Sequence, residues 1–300
     1  MRRGIVLFIT LGILLLLSSI VFLFLQQSGA LKKSVRKNID IIQTNLLLSD
    51  MSDFLKSQNF TQDDIFYGSG IPVSLDLGPV SGTITLSSAR DKIDINALLG
   101  SVQKEQQALD GLLLWMENRH VKAPSLLLAI LLDSYDTDSY ERERGSEIRN
   151  NRPWFQNGQI ANSRAMETIL QTYTTLSGDA NLTLESWEET FGYEGAALDL
   201  NYATSEQLRL LYPDFPPAVI ARLAAHDERY AKAEDLPIDE EYKASLLTVH
   251  FGITPTLETD TLDVRITFSS TQECSGSMGF WMGVKKKKIT HLSLSPVTCE

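Results

Sequence analysis

Apolar positions open the chain as one block. Ile5 to Leu25 carries no charged side chain and only Thr10, Ser18 and Ser19 as hydroxyl interruptions. At ~1.5 Å per residue, such a run in a helix crosses the roughly 30 Å hydrocarbon core of a bilayer. Past it, Val35, Ile39, Ile42, Leu46, Met51, Phe54 and Leu55 recur at helical spacing, and no proline precedes Pro72. The pattern predicts one helix from Ile5 to about Leu55, half of it in the membrane. Gly68, Gly70 and Pro72 end that region. Val73 to Leu86 then alternates loosely around Gly78, Pro79 and Gly82, which predicts two short strands.

The middle of the chain returns to helical spacing. Ile93-Asp94-Ile95-Asn96 leads into an expected helix from Ala97 to about Glu117, and a second is expected from Pro124 to Leu132. The phrase recurs as Leu198-Asp199-Leu200-Asn201, and a helix-capping asparagine is a sufficient reading of each copy. Thr204 to Gln207 has capping-box spacing. Leu208, Leu210 and Leu211 give one apolar face, Pro213 to Pro217 a turn, and Val219, Ile220, Leu223 and Ala224 a second face. That is a helix-hairpin-helix pattern. Phosphate-binding hairpins present backbone N–H groups from glycines in the turn. Tyr212-Pro213-Asp214-Phe215-Pro216-Pro217 has no glycine, three prolines without an N–H, and an acid, so the hairpin reads as a protein-contact module.

From Leu257 the texture is that of strands. Leu262, Val264, Ile266 and Phe268 alternate with Asp263, Arg265 and Thr267, and Trp281 to Val284 and Ile289 to Leu294 suggest two more strands. Lys285 to Lys288 between them read as a charged turn or a protected edge, with contact to anionic lipid as the other reading.

Composition narrows the function. A formal charge of −11 over 300 residues argues against a general nucleic-acid binder. The two cysteines, Cys274 and Cys299, fit either a local disulfide closing the tail or two free thiols. The flanks of the apolar run do not fix its orientation, because Arg2 and Arg3 face Lys32, Lys33, Arg36 and Lys37. The four histidines, His120, His226, His250 and His291, are widely spaced, and neither a Gly-x-Ser-x-Gly elbow nor a phosphate-cradling glycine loop occurs. The chain reads as a non-enzyme. One stretch is rich in metal-type ligands: Asp133, Asp136 and Asp138, then Glu141, Glu143 and Glu147. Closely spaced carboxylates suit a hard cation such as calcium. The other reading is a solvated acidic loop partly neutralised by Arg142, Arg144 and Arg149.

The start of the chain admits three readings: a cleaved signal, a plain single-pass anchor, and a leader. Its apolar run is longer than that of a cleaved signal and meets Gln26 and Gln27 instead of a small-x-small site. Arg2-Arg3-Gly4 set directly against the run resembles a type IV pilin leader, which a prepilin peptidase cuts, here between Gly4 and Ile5. Most such subunits carry a glutamate five residues after the cut, where this chain has Ile9. That departure resembles minor pseudopilin K of type II secretion systems. The likeness continues through Asp94-Ile95-Asn96, Leu131-Leu132-Asp133, Asp136, Asp138, Gly145-Ser146-Glu147, Pro153-Trp154-Phe155, Asn157-Gly158, Ser163 to Leu170, and Leu200-Asn201 through Leu223, covering most of the chain in order.

The resemblance implies an α+β fold: a pilin-like long N-terminal helix packed on a small antiparallel sheet, with a large, mostly helical insertion containing a helix-hairpin-helix (SAM-like) module. It divides the chain into a leader (1–4), a transmembrane part (5–25), the helix continuation and first strands (26–96), the insertion (97–250) and C-terminal strands (251–300). It implies a subunit of the bacterial inner membrane with its soluble part in the periplasm, placed at the tip of a short filament. Its partners would be other minor pseudopilins, the major pseudopilin, the inner-membrane secretion platform and the prepilin peptidase, with no nucleic acid. It also implies calcium on Asp133, Asp136, Asp138 and Glu147, although Ile148 stands where the family often has another acid. The runner-up is a membrane-anchored helix-hairpin-helix receptor for DNA uptake; an anchored enzyme of unrecognised type is the third reading.

Overall fold

The computed structural model describes residue 50 and residues 53–76, 80–270, 274–294 and 298–299. The chain divides into two compact units, Met1–Asn59 and Phe60–Glu300. In the first, residues 53–57 are helical, where the apolar spacing predicts the end of the long helix. The leader junction at Gly4 and Ile5, Ile9 and the membrane run lie outside the described residues, and among those that are described no helix is long and apolar enough to cross a membrane.

The second unit opens with α1 (Gln62–Gly68), which starts on a capping box formed by Thr61 and Asp64. Its main sheet is antiparallel. The order is β1 (Val73–Asp76), β2 (Val80–Ser88), β7 (Thr261–Ser270), β8 (Cys274–Gly283) and β10 (Thr298–Cys299), with β9 (Ile289–Leu294) also paired to β8. Alternation sorts the two faces: Ile84, Leu262, Val264, Ile266, Met278, Phe280 and Met282 are buried together, while Thr83 and Thr267 hydrogen-bond across the opposite face at 2.6 Å. The strand expected at Trp281–Val284 is in fact the end of a ten-residue strand that begins at Cys274. Its first half, Ser275-Gly276-Ser277-Met278-Gly279, has too few branched or aromatic residues to read as a strand locally, and its pairing with β7 determines it. Lys285 to Lys288 do form the turn between β8 and β9.

Between β2 and β7 lies a mostly helical stretch. Strand β3 (Ile93–Asp94) leads into α2 (Ile95–Val102), α3 (Gln106–Asn118), α4 (Pro124–Tyr135), α5 (Ile148–Asn151), α6 (Ser163–Ser177) and α7 (Leu184–Glu188). Strands β4 (Phe191–Gly192) and β5 (Ala197–Asp199) precede α8 (Ser205–Leu211), α9 (Pro217–Leu223), α10 (Glu240–Leu246) and β6 (Thr254–Thr256). The single helix expected over Ala97–Glu117 is two helices. Asp94 caps the first, and the amides of Lys104 and Glu105 both donate to Ser101 O at 2.8 Å, closing it before Gln106. The break lets Leu98, Leu99 and Val102 bury one apolar face while Ala108, Leu112, Trp115 and Met116 bury another. Trp115, Trp187 and Phe191 form the aromatic centre of this core, with ring centroids 4.4–5.4 Å apart.

The repeated Asp-x-Asn phrase builds the same corner twice. Strand β3 pairs in parallel with β4, and β5 with β6. Asn96 is no cap: its Nδ2 donates to Ile160 O and Tyr193 O, and its Oδ1 accepts from Ile160 N at 2.7 Å. Asn201 likewise donates to Tyr230 O and Leu257 O and accepts from Tyr230 N at 2.6 Å. Each buried amide thus staples two distant segments of backbone.

Candidate metal centre

The acidic stretch sits where α4 ends and the chain turns to α5. Asp133, on the last turn of α4, is fully buried. Its Oδ2 accepts from Ser146 Oγ at 2.5 Å and from the Arg142 amide at 3.0 Å. Its Oδ1 accepts from Arg142 Nη1. Asp136 is the C-cap of α4, and its Oδ2 takes the same Nη1 at 2.5 Å. Glu147, also fully buried, is the N-cap of α5. It accepts from the Arg149 amide at 2.9 Å and from Asn157 Nδ2 at 2.9 Å. Asp138 is exposed; its carboxylate accepts from the Tyr140 amide, and its carbonyl from Asn157 Nδ2 at 2.8 Å.

The four expected ligands therefore lie along one short turn in two groups. Asp133 and Asp136 share Arg142, while Asp138 and Glu147 meet through Asn157. No group of three or more His, Cys, Asp or Glu side chains among the described residues is gathered to hold a metal ion. The donor set nevertheless suits a hard cation, since every member is oxygen and two carboxylates are buried. Among the described residues, Asp136 Oδ1 and Asn157 Oδ1 are buried acceptors with no donor. A buried acceptor without a donor is costly, and a cation would satisfy it. On these observations the residues fit calcium, with Arg142 standing among them. Sequence reading named the carboxylates and took Arg142 for a general neutraliser; Ser146 stood only as part of a motif, and so did Asn157. A serine and an asparagine in a loop give no local sign of the acids they will meet.

Two further polar clusters tie the helical stretch together. Arg119, after α3, reaches Glu206 at 2.5 Å and Glu189 at 2.9 Å. The Glu206 hydrogen bonds above all hold its guanidinium charged, against the effect of burial. Asp179 is fully buried. Burial alone would raise its pKa, but the Lys122 amide, the Tyr173 hydroxyl and the Asn181 amide bring it below the usual carboxylate value. Asp199 goes the other way: burial raises it, over the opposing donors Thr259 and Asn201. Cys299 is the register partner of Cys274 in the β8–β10 pair.

No family model matches the chain, and no curated protein matches it. Among solved structures it is similar in fold to a chain of the GspK-GspI-GspJ complex from the enterotoxigenic Escherichia coli type 2 secretion system. The TM-score is 0.54 at 15% sequence identity, covering 87% of this chain and 99% of that one. The fold class is accordingly α+β with an antiparallel sheet, and in fold the chain resembles a chain of that complex.

Proposed function

We propose that the chain is a minor pseudopilin at the tip of a type II secretion pseudopilus, where it initiates or caps the filament for export of folded proteins across the outer membrane. The observation that carries this reading is the extent of the fold likeness, which spans nearly all of a chain from a minor pseudopilin complex. A pseudopilin needs an anchor, and Ile5–Leu25 has the length and apolarity for one; the helix that carries it would run to about Leu55. The prepilin peptidase would cut between Gly4 and Ile5, leaving the body in the periplasm and the anchor in the inner membrane. Ile9 offers no carboxylate for the amino terminus of a subunit above it, which suits the end of a stack.

The partners would be other minor pseudopilins, the major pseudopilin and the secretion platform, and the role is structural, not catalytic. The stretch 97–250, with the hairpin of α8 and α9 as its SAM-like module, would widen the head beyond a filament's radius. Asp133, Asp136, Asp138 and Glu147, with Asn157, would hold a calcium ion that cross-links the turn. Antiparallel register partners have the Cα spacing a disulfide needs, so Cys274 and Cys299 would fasten the last strand. The test is mass spectrometry of the mature protein purified from membranes. A start at Ile5 is expected, and a start at Met1 or Arg2 refutes the reading.

A further inference from the structure

We propose that Arg142 is a displaceable internal counter-ion, which holds the Asp133–Asp136 pair until a divalent cation takes its place. The inference rests on the reading of this turn as a calcium site and adds how that site is controlled. One nitrogen, Nη1, is shared by both carboxylates, so the guanidinium stands between the groups a cation would bridge. Its departure leaves Asp133 supported, because Oδ2 keeps its bonds from Ser146 Oγ and from the Arg142 backbone amide. The oxygens released are Asp133 Oδ1 and Asp136 Oδ2, and they join Asp136 Oδ1, which already has no donor.

The guanidinium has a route to solvent, since its side chain is 39% exposed while that of Asp133 is 0%, and the incoming cation replaces its charge on the buried carboxylate. A divalent cation and a guanidinium on the same two carboxylates repel each other, and in a partly buried turn this repulsion is only weakly screened.

The test is calorimetric titration of calcium into the full chain in detergent after chelator treatment, comparing the wild type with Arg142→Gln and Arg142→Lys. Removing the competitor is expected to tighten binding about tenfold in Arg142→Gln, with Arg142→Lys in between. The calcium-free Arg142→Gln protein should melt below the calcium-free wild type and recover when calcium is added. Binding by Arg142→Gln alone would also support the inference, as the arginine would then fully exclude the ion. Wild-type binding that Arg142→Gln leaves unchanged or weakens overturns this inference and leaves the calcium site standing. Binding by none of the three overturns both.

Discussion

The corners at Ile93–Asn96 and Leu198–Asn201 use the same four-residue phrase and differ in what its aspartate does. Asp94 caps a helix, accepting from the amides of Asn96 and Ala97. Asp199 caps nothing: it takes the Thr259 hydroxyl at 2.7 Å and both the amide and the side chain of Asn201, while Thr204 caps the following helix. The asparagine behaves alike in both, bridging two backbone segments. The phrase therefore encodes a corner, in which a short parallel pairing is locked by a buried amide. Where the helix starts is set by the capping oxygen, that of Asp94 in the first corner and that of Thr204 in the second.

The comparison is broken most strongly at the asparagines. Asn201→Ala leaves the Tyr230 amide and the Tyr230 and Leu257 carbonyls without a partner, a loss of about 3 kcal/mol. Asn96→Ala should cost about 2 kcal/mol, because Asn96 is slightly less buried than Asn201. Urea unfolding of the two variants checks the order, and equal losses would remove the distinction. Arg119 joins the end of α3 to α8, the helix that follows the second corner. Arg119→Ala should lose about 2 kcal/mol, and a double-mutant cycle with Glu206→Ala should show most of that as coupling. Gly111 marks the same seam, since a Cβ there would stand 2.7 Å from Leu210 O. Gly111→Ala should cost about 1–2 kcal/mol, measurable as a lower Tm.

The smallest effect is in pH dependence, and its sign separates two buried acids. Asp199, raised in the fold, contributes stability that is fully present below its unfolded pKa and is lost as pH rises through the folded value. Asp179, lowered in the fold, contributes stability present above its unfolded pKa and lost as pH falls through the folded value. Between neutral and acid pH, the wild type should therefore gain on Asp199→Asn and lose ground to Asp179→Asn. Tm profiles of the three proteins against pH test both slopes.

Periodic segments of the fold were legible before the structure. The alternation at Leu262–Phe268, the capping box at Thr204 and Gln207, and the apolar faces around Leu208 and Val219 each state their conformation locally. What could not be read depends on partners far along the chain. The first half of β8 is a strand because β7 pairs with it. The break at Gln103–Glu105 exists because two apolar faces need different neighbours. The asparagines of the two corners looked like caps because their true partners, near residues 160, 193, 230 and 257, leave no mark beside them. At the acidic turn the carboxylates were visible as a run of charge. The part played by Arg142 was not, since nothing in its immediate sequence tells an arginine gripping two acids from one facing water.

The pairing of β2 with β7 also bears on how the molecule comes to be folded. Thr83 and Thr267 meet across 184 positions, and closing so long a loop before anything inside it is ordered would be entropically unfavourable and slow. Ser88 and Leu262, at the mouth of that loop, are themselves ladder neighbours. A helical body assembled early from local contacts would bring both strand ends to one place, so the sheet is expected to zip last. Damage to the Trp115–Trp187 centre should accordingly appear as a slower approach to the native state as well as a weaker one.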